Sequence, residues 1–425
     1  MRTLCEAVWT VERELDLLTW QIDEVRPWPI IRMRIFHELT RRSGLHGDPH
    51  PVRRTRADQA RLVGKHLAGT VTRNPFLARG SFDSLVIPHP RKPGGVEIYT
   101  DSLRAALGSS ALVLDSGING TPLPDSHNLD FFTSAAGAVR SRKVHARCAE
   151  ITAALEAATG VRVPIGSLIG REVPKHARLR AVYRALLRRR RIKTVYVVVA
   201  YFHQHLVGAA RDLGIRVVEL QHGVISPYHL GYSYPGRPDV ADQPDELWCF
   251  GSYWTDVAEL PAGMKASVVG SSFIAPLTSA ELTAKDPRLV VFLSQGTTGP
   301  TLLGYAAALA AARPDLDVAF HLHPSERSTD YVVPVGVRLS AGNTLAVLKT
   351  ATYQVGVSTT ALFEGMVLGC RTAVAELPGH EYLAPAIARG DSVLVAGPEE
   401  LAPALSTLPQ ASDPTTYYAP LRLPV

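Results

Sequence analysis

The chain reads as an α/β protein made of two consecutive doubly wound units, and three observations predict it. From residue 84 onward, short β-rich runs alternate with helical stretches, the pattern of a mostly parallel sheet with helices on both faces. The run Thr194–Ala200 (TVYVVVA) is β-branched and continuously apolar, as a strand buried on both faces should be. The alternation pauses once, at the small-residue stretch Gly270–Pro287, and 425 residues suit two domains at about 150 residues each. The expected organisation is a first unit over 1–275, with 1–80 as a helical extension, and a second unit over 276–425.

In the extension, Ile30, Ile31, Ile35 and Leu39 recur at helical spacing among Arg32, Arg34, Arg41 and Arg42. The first unit then predicts strand Leu85–Pro88, helix Thr100–Leu107 and strand Ala111–Asp115. An Ala-rich stretch over 134–159 is expected as one helix and 177–190 as a second. Strand Thr194–Ala200, helix Phe202–Leu213, strand Ile215–Gln221 and strand Glu246–Phe250 follow. The second unit predicts strands Leu289–Ser294, Asp317–His323, Tyr353–Val357, Thr372–Glu376 and Ser392–Ala396. Its helices fall over 301–312, 343–350, 359–368 and 398–408, and the segment after Pro409 has no clear pattern.

Composition narrows the function classes. The chain is 46% hydrophobic and 20% charged, which excludes a disordered chain, and its net charge of +6 does not by itself imply nucleic acid. Its four Cys are far apart with no CxxC, which excludes a disulfide scaffold and a Cys-based zinc site and suits a reducing compartment. No apolar run reaches the ~18–20 residues of a membrane span. Glu6, Glu12 and Glu14 argue against a signal peptide, so the expected location is cytoplasmic, either free or at the inner face of the cell membrane. There is no GxxxxGK[ST], no GxGxxG after a strand and no HExxH. Asp315-Leu316-Asp317 precedes its strand and reads as a turn. No metal and no cofactor are expected.

In an open parallel sheet, ligands bind beyond the carboxyl ends of the strands, so polar residues there are the site candidates. Glu219-Leu220-Gln221-His222-Gly223 ends one strand, where Gly223 permits a sharp turn that exposes His222. A neutral imidazole there would serve as a general base; the alternative is a histidine hydrogen-bonded within the turn. Tyr228, His229, Gly231 and Tyr232 follow without periodicity, as in a loop lining a pocket. His321 and His323 share one strand face, and Pro324 then ends the strand, with Ser325 and Glu326 next. Ser358, Thr359 and Thr360 open a helix, where hydroxyls and free N–H groups suit a phosphate as well as an ordinary cap. A capping box from Thr360 would need Glu at 363, which is Phe, so Glu364 is available for a ribose diol. Gln295, Gly296 and Thr297 would let the backbone approach a ligand, and His89, Arg91 and Asp115 follow the first two strands.

Arg178, Arg180, Arg184, Arg188, Arg189, Arg190, Arg191 and Lys193 crowd one predicted helix end. They read either as a solvated face with cations favourable at a helix C-terminus, or as a patch for anionic lipid or a polyanionic acceptor. No stacking aromatics interleave with them, so nucleic acid is not the expected partner.

His323-Pro324, followed about 35 residues later by Ser358-Thr359-Thr360, resembles the HP and S/T motifs of bacterial sialyltransferases and polysialyltransferases. In that group an acidic pair followed by Gly supplies the base, and Gln221-His222-Gly223 stands in its place here. Trp20–Arg34, His89–Leu107 and Gln221–Tyr232 are also similar to bacterial capsule and surface-polysaccharide biosynthesis proteins. The resemblance implies a GT-B-like fold and an inverting, metal-independent glycosyltransferase using a nucleotide-activated sugar, with CMP-linked nonulosonic acids favoured. It implies a glycan or lipid-linked acceptor, held on the first unit by His89, Arg91, Asp115, Gln221, Tyr228 and His229. His222, Glu219 or Asp115 would be the base. His323 would serve the leaving phosphate beside Gln295, Gly296, Thr297, Pro324, Ser325, Ser358, Thr359, Thr360 and Glu364. A CDP-polyol phosphotransferase, a UDP-sugar 2-epimerase and an inactive accessory subunit are the competing readings.

Overall fold

The computed structural model describes residues 1–45, 55–89, 97–115, 122–138, 140–141, 145–274 and 285–425. Their strands form two six-stranded sheets in which the pairings are parallel. The first holds β1 (Ser84–Ile87), β2 (Ala111–Val113), β3 (Thr194–Val198), β4 (Arg216–Leu220), β5 (Glu246–Cys249) and β6 (Lys265–Val268), ordered β2-β1-β3-β4-β5-β6. The second holds β7 (Asp286–Leu293), β8 (Asp317–His321), β9 (Val337–Ser340), β10 (Ala351–Gly356), β11 (Arg371–Ala375) and β12 (Val393–Val395), ordered β12-β11-β10-β7-β8-β9. This is the GT-B-like pair of doubly wound units that the sequence predicts. Strand order reverses between β1 and β3 in one sheet and between β7 and β10 in the other. The chain leaves such a point in both directions, which opens a crevice at the carboxyl edge.

Three expectations need correction. The helix predicted over 134–159 is two, Asp130–Ala138 and Ala146–Thr159. The helix predicted over 177–190 runs from Ile165 to Arg190, across Pro174. Proline removes the N–H that would bond the carbonyl four residues earlier, here Gly170 O. Ser141 N–H donates to that carbonyl at 2.7 Å, so the chain between the two shorter helices repairs the gap in the long one. Finally, β6 and β9 were not expected, because each is an edge strand whose residues are mostly not buried and show no apolar run.

The N-terminal helices Arg2–Glu14 and Pro27–Arg42 bury Val8, Val11, Trp28, Ile31, Ile35 and Leu39 in the core that carries one face of the first sheet. Arg32 is buried, not solvated. Its Nε and Nη2 donate to the Glu12 carboxylate at 2.5 and 3.0 Å, and its Nη1 donates to Leu230 O and Ser233 O. The extension therefore anchors the loop after β4. The segment after Pro409 also has a place: it crosses to the first lobe. Ala419 N–H donates to Phe250 O at 2.8 Å, Arg422 N–H to Val269 O at 2.7 Å, and Tyr418 stacks on Phe250 at 5.1 Å. Gly251 and Gly270 lie against its backbone with no room for a Cβ. Of the interdomain stretch expected at Gly270–Pro287, residues 275–284 lie outside the described residues. All four cysteines are buried and free. Among the described residues no helix is long and apolar enough to cross a membrane.

Candidate active site

At the switch point of the second sheet, the loops after β7 and β10 are joined. Ser358 N–H and Oγ both donate to Gln295 Oε1, at 3.2 and 3.0 Å. One strand over, Ser294 Oγ and the Tyr331 hydroxyl donate to Glu326 Oε1 at 2.9 and 2.6 Å, while Glu326 Oε2 accepts from His323 N–H at 2.7 Å. Gly299 sits so close to this cluster that a Cβ would strike all three side chains. The His323 Nδ1 accepts from Ser325 N–H at 3.2 Å, so in the neutral ring the proton rests on Nε2 and makes that atom a donor. Gln295 with Ser358, and His323 with Ser325, thus form two hydrogen-bonded groups at the carboxyl ends of neighbouring strands. Gly296 takes φ of +48°, as a tight loop requires, and Thr297 Oγ1 reaches across to donate to Leu45 O at 3.2 Å. Thr359 is the cap of helix Thr360–Val367, its Oγ1 accepting from Ala361 N–H at 3.3 Å, which leaves Thr360 as the hydroxyl of the three with no hydrogen bond among the described residues. His321 is framework: buried, with its two ring nitrogens at 3.0 and 3.1 Å from Ser340 Oγ and Thr344 Oγ1.

In the first lobe His222 lies in an aromatic cage at the end of β4. Its ring stacks on His89 at 5.2 Å, with Tyr99 edge-on at 6.4 Å. Tyr201 OH stands 3.4 Å from Nε2 and Tyr232 OH 3.5 Å from Nδ1. Tyr232 OH in turn donates to Glu219 Oε1 at 2.8 Å, where Ala200 N–H also donates at 3.0 Å. A relay therefore runs from His222 through Tyr232 to Glu219, a carboxyl only 2% exposed. Burial pushes Glu219 up to about 7. Burial, then the neighbouring His89 and His229, pushes His222 down to about 3. This favours the neutral imidazole and makes it a weaker base than a free one. Glu219 is linked to His222 only through the Tyr232 hydroxyl.

The two half-sites meet where a Cβ on Gly223 would lie 3.7 Å from Thr360 Oγ1. Beside that point Glu364, from the second lobe, shares its surroundings with Tyr99 and Tyr418, and burial alone pushes its carboxyl up to about 7. It makes no hydrogen bond or ion pair among the described residues. A half-buried carboxyl without a partner suits a hydroxyl-bearing ligand or a proton-transfer role.

Several acceptor-side candidates sit elsewhere. Gln221 is a turn lock, with Nε2 donating to Gly223 O at 2.9 Å and Oε1 accepting from Phe250 N–H at 2.9 Å. Tyr228 stacks on Trp9 of the N-terminal helix at 6.3 Å. His229 folds back on its own turn, its Nδ1 accepting from Gly231 N–H at 3.1 Å, and burial pushes it down to about 4. Arg91 lies outside the described residues. Asp115, three strands from His222, is not its partner. It lines a separate cavity of about 250 Å³ with His127, Asp130, Lys175, His203 and His205, beyond the ends of β1, β2 and β3. Lys175 makes no hydrogen bond or ion pair among the described residues. His203 Nδ1 is buried without a partner, and burial followed by the Lys175 charge pushes His203 down to about 4. Pro88 and Phe202 line this cavity too, so it adjoins His89 and Tyr201 of the cage. Sequence reasoning missed Tyr99, Tyr201, Lys175 and His203. Only the placement of Tyr201 and His203 just past the apolar run of β3 could have marked any of them.

No family model matches the chain, and no curated protein matches it. Solved structures do. A spinosyn rhamnosyltransferase, SpnG, complexed with spinosyn aglycone is 16% identical with a TM-score of 0.44, covering 77% of this chain and 91% of its own. The glycotransferase of kitacinnamycin is 13% identical with a TM-score of 0.48, covering 80% and 93%. A UDP-GlcNAc 2-epimerase from Methanocaldococcus jannaschii, in complex with UDP-GlcNAc and UDP, is 11% identical with a TM-score of 0.45, covering 80% and 96%.

Proposed function

We propose that the protein is an inverting glycosyltransferase that transfers a sugar from a nucleotide donor held on the second lobe to an acceptor held on the first. The observation that carries the reading is the meeting of the two carboxyl edges: Thr360 of the second lobe against Gly223 of the first, with Glu364 facing Tyr99. In this reading Ser358, Thr360 and the Nε2–H of His323 hold the donor phosphate, and Glu364 holds hydroxyls of the ribose. The acceptor oxygen attacks the anomeric carbon as the bond from that carbon to the phosphate oxygen breaks. The acceptor proton passes to His222, whose imidazolium is supported through Tyr232 by Glu219. The electron pair leaves with the phosphate, where fixed donors stabilise charge as it develops. His323-Pro324 and Ser358-Thr359-Thr360 favour CMP as the nucleotide and a nonulosonic acid as the sugar. The cavity beside Asp115 is the acceptor side.

Thermal shifts with CMP, CDP, UDP and GDP test the donor side, because a ligand that binds only the folded state stabilises it as its concentration passes Kd. CMP is expected to give the largest shift. His323→Ala is expected to lower kcat by about 10²–10³. If both His323→Ala and His222→Ala retain near-normal transfer with the fold intact, the assignment fails. Turnover of a nucleotide sugar without any acceptor would point to epimerisation instead.

A further inference from the structure

Helix Arg56–Thr72 is packed the wrong way round for a water-soluble surface. Its inward side is polar: His66 Nδ1 lies 2.6 Å from Ser134 Oγ, and Thr70 Oγ1 donates to Asn128 Oδ1 at 2.9 Å. Its outward side is an apolar stripe of Ala60, Val63, Gly64, Leu67, Ala68 and Val71, which share one face at helical spacing. Val63, Leu67 and Val71 are 45%, 45% and 66% exposed, and Leu77 just beyond the helix is 70% exposed. A surface helix normally turns such residues to the core. This one saves them for something outside the chain.

Charge says what that is. The stripe leads into the turn Pro75–Leu77, which is clamped by the basic end of helix Ile165–Arg190. Arg189 Nε donates to Phe76 O at 2.8 Å and Arg190 Nε to Pro75 O at 2.7 Å. Of the basic run, Arg180 is held by Asp212 and Asp242 and Lys193 by Asp83. Arg184, Arg188 and Arg191 remain exposed with no hydrogen bond or ion pair among the described residues, as do Arg61 on the stripe helix and Arg79 after the turn. Exposed apolar side chains joined through this turn to a helix end that carries uncommitted cations are complementary to an anionic lipid surface, which offers hydrocarbon beneath negative headgroups. Loop 331–336 makes the contrast. Val332 and Val335 are 92% and 99% exposed there, but the nearby Arg327 and Arg338 pair with Asp330 and Asp317.

We infer that the outer face of helix Arg56–Thr72, with Leu77 and the arginines at the end of helix Ile165–Arg190, docks the protein on an anionic membrane. This goes beyond the proposed reaction and needs no nucleotide, so the two stand or fall separately. The test is co-sedimentation of the full chain with vesicles of phosphatidylglycerol and phosphatidylcholine in equal parts, against phosphatidylcholine alone. Binding is expected only with phosphatidylglycerol, and it should weaken as salt is raised. Arg188→Glu and Arg191→Glu should each weaken it about five-fold or more, the equivalent of one basic contact near a membrane surface. Leu67→Glu with Val71→Glu should abolish it with an unchanged thermal midpoint, and Val332→Ser with Val335→Ser should leave it intact. No binding by the wild type would overturn the inference, as would equal loss in the loop variant. Self-association by sedimentation velocity that Leu67→Glu with Val71→Glu disperses, without vesicle binding, would assign the face to a second copy of the chain instead.

Discussion

Replacing Glu219 by Gln makes the buried carboxyl at the end of the relay permanently neutral while leaving an oxygen for Ala200 N–H and Tyr232 OH. In the folded protein burial raises this carboxyl from 4.5 to about 7. The sign follows from linkage. The folded state holds its proton where the unfolded chain has lost it, so wild-type stability is complete below about 4.5 and falls as pH rises through about 7. Integrating between pH 5 and pH 8 gives about 2–3 kcal/mol, undiminished by solvent because the side chain is 2% exposed. Glu219→Gln should lack that loss. All five tryptophans (Trp9, Trp20, Trp28, Trp248 and Trp254) lie in the first lobe, so their fluorescence in urea reports the unfolding of that lobe. Buried histidines such as His203 and His229, both pushed down to about 4, tilt stability the opposite way in acid. They do so equally in both proteins and cancel in the difference. The advantage of the variant should therefore grow by about 2–3 kcal/mol from pH 5 to pH 8. A constant difference would refute a proton held on Glu219.

Glu364→Gln separates holding the donor from taking a proton: a raised donor KM at near-normal kcat fits a ribose contact, and a collapse of kcat assigns the base to Glu364. Arg32→Met should cost about 3–5 kcal/mol in urea unfolding, because it leaves the Glu12 carboxylate buried without its counter-charge. Adding Glu12→Leu should recover much of that loss. Lys175→Met should raise KM for an acidic acceptor and leave KM for the donor unchanged, measured by steady-state kinetics with both substrates varied.

The strands were legible wherever the fold buries both faces. β3 and β7 announce themselves as apolar runs, and the polar residues just past β4, β8 and β10 are the ones the sheets carry to their edges. What was hidden depends on partners far away in the chain. The helix expected over 177–190 runs back through Pro174 because Ser141, far away in the chain, supplies the donor that Gly170 O would otherwise lack. Arg32 stands among Arg34, Arg41 and Arg42 in the sequence, and only the fold sets it against Glu12 and the loop after β4. In the same way, Glu219 and His222 were candidates for one task, and Tyr232 turns them into two ends of a relay. Helix Arg56–Thr72 shows the limit of hydrophobic periodicity: its pattern reveals a stripe but not which way the stripe points.

The crossing of residues 413–423 sets an order of events during synthesis. Phe250 gains the stacked ring of Tyr418, and Trp254 Nε1 its acceptor at Tyr417 O, only after both sheets have been translated. A ribosome moving at about 5–20 residues per second thus keeps this seam of the first lobe open for roughly ten seconds or more. Until then these aromatics lack partners that complete their packing in the finished fold.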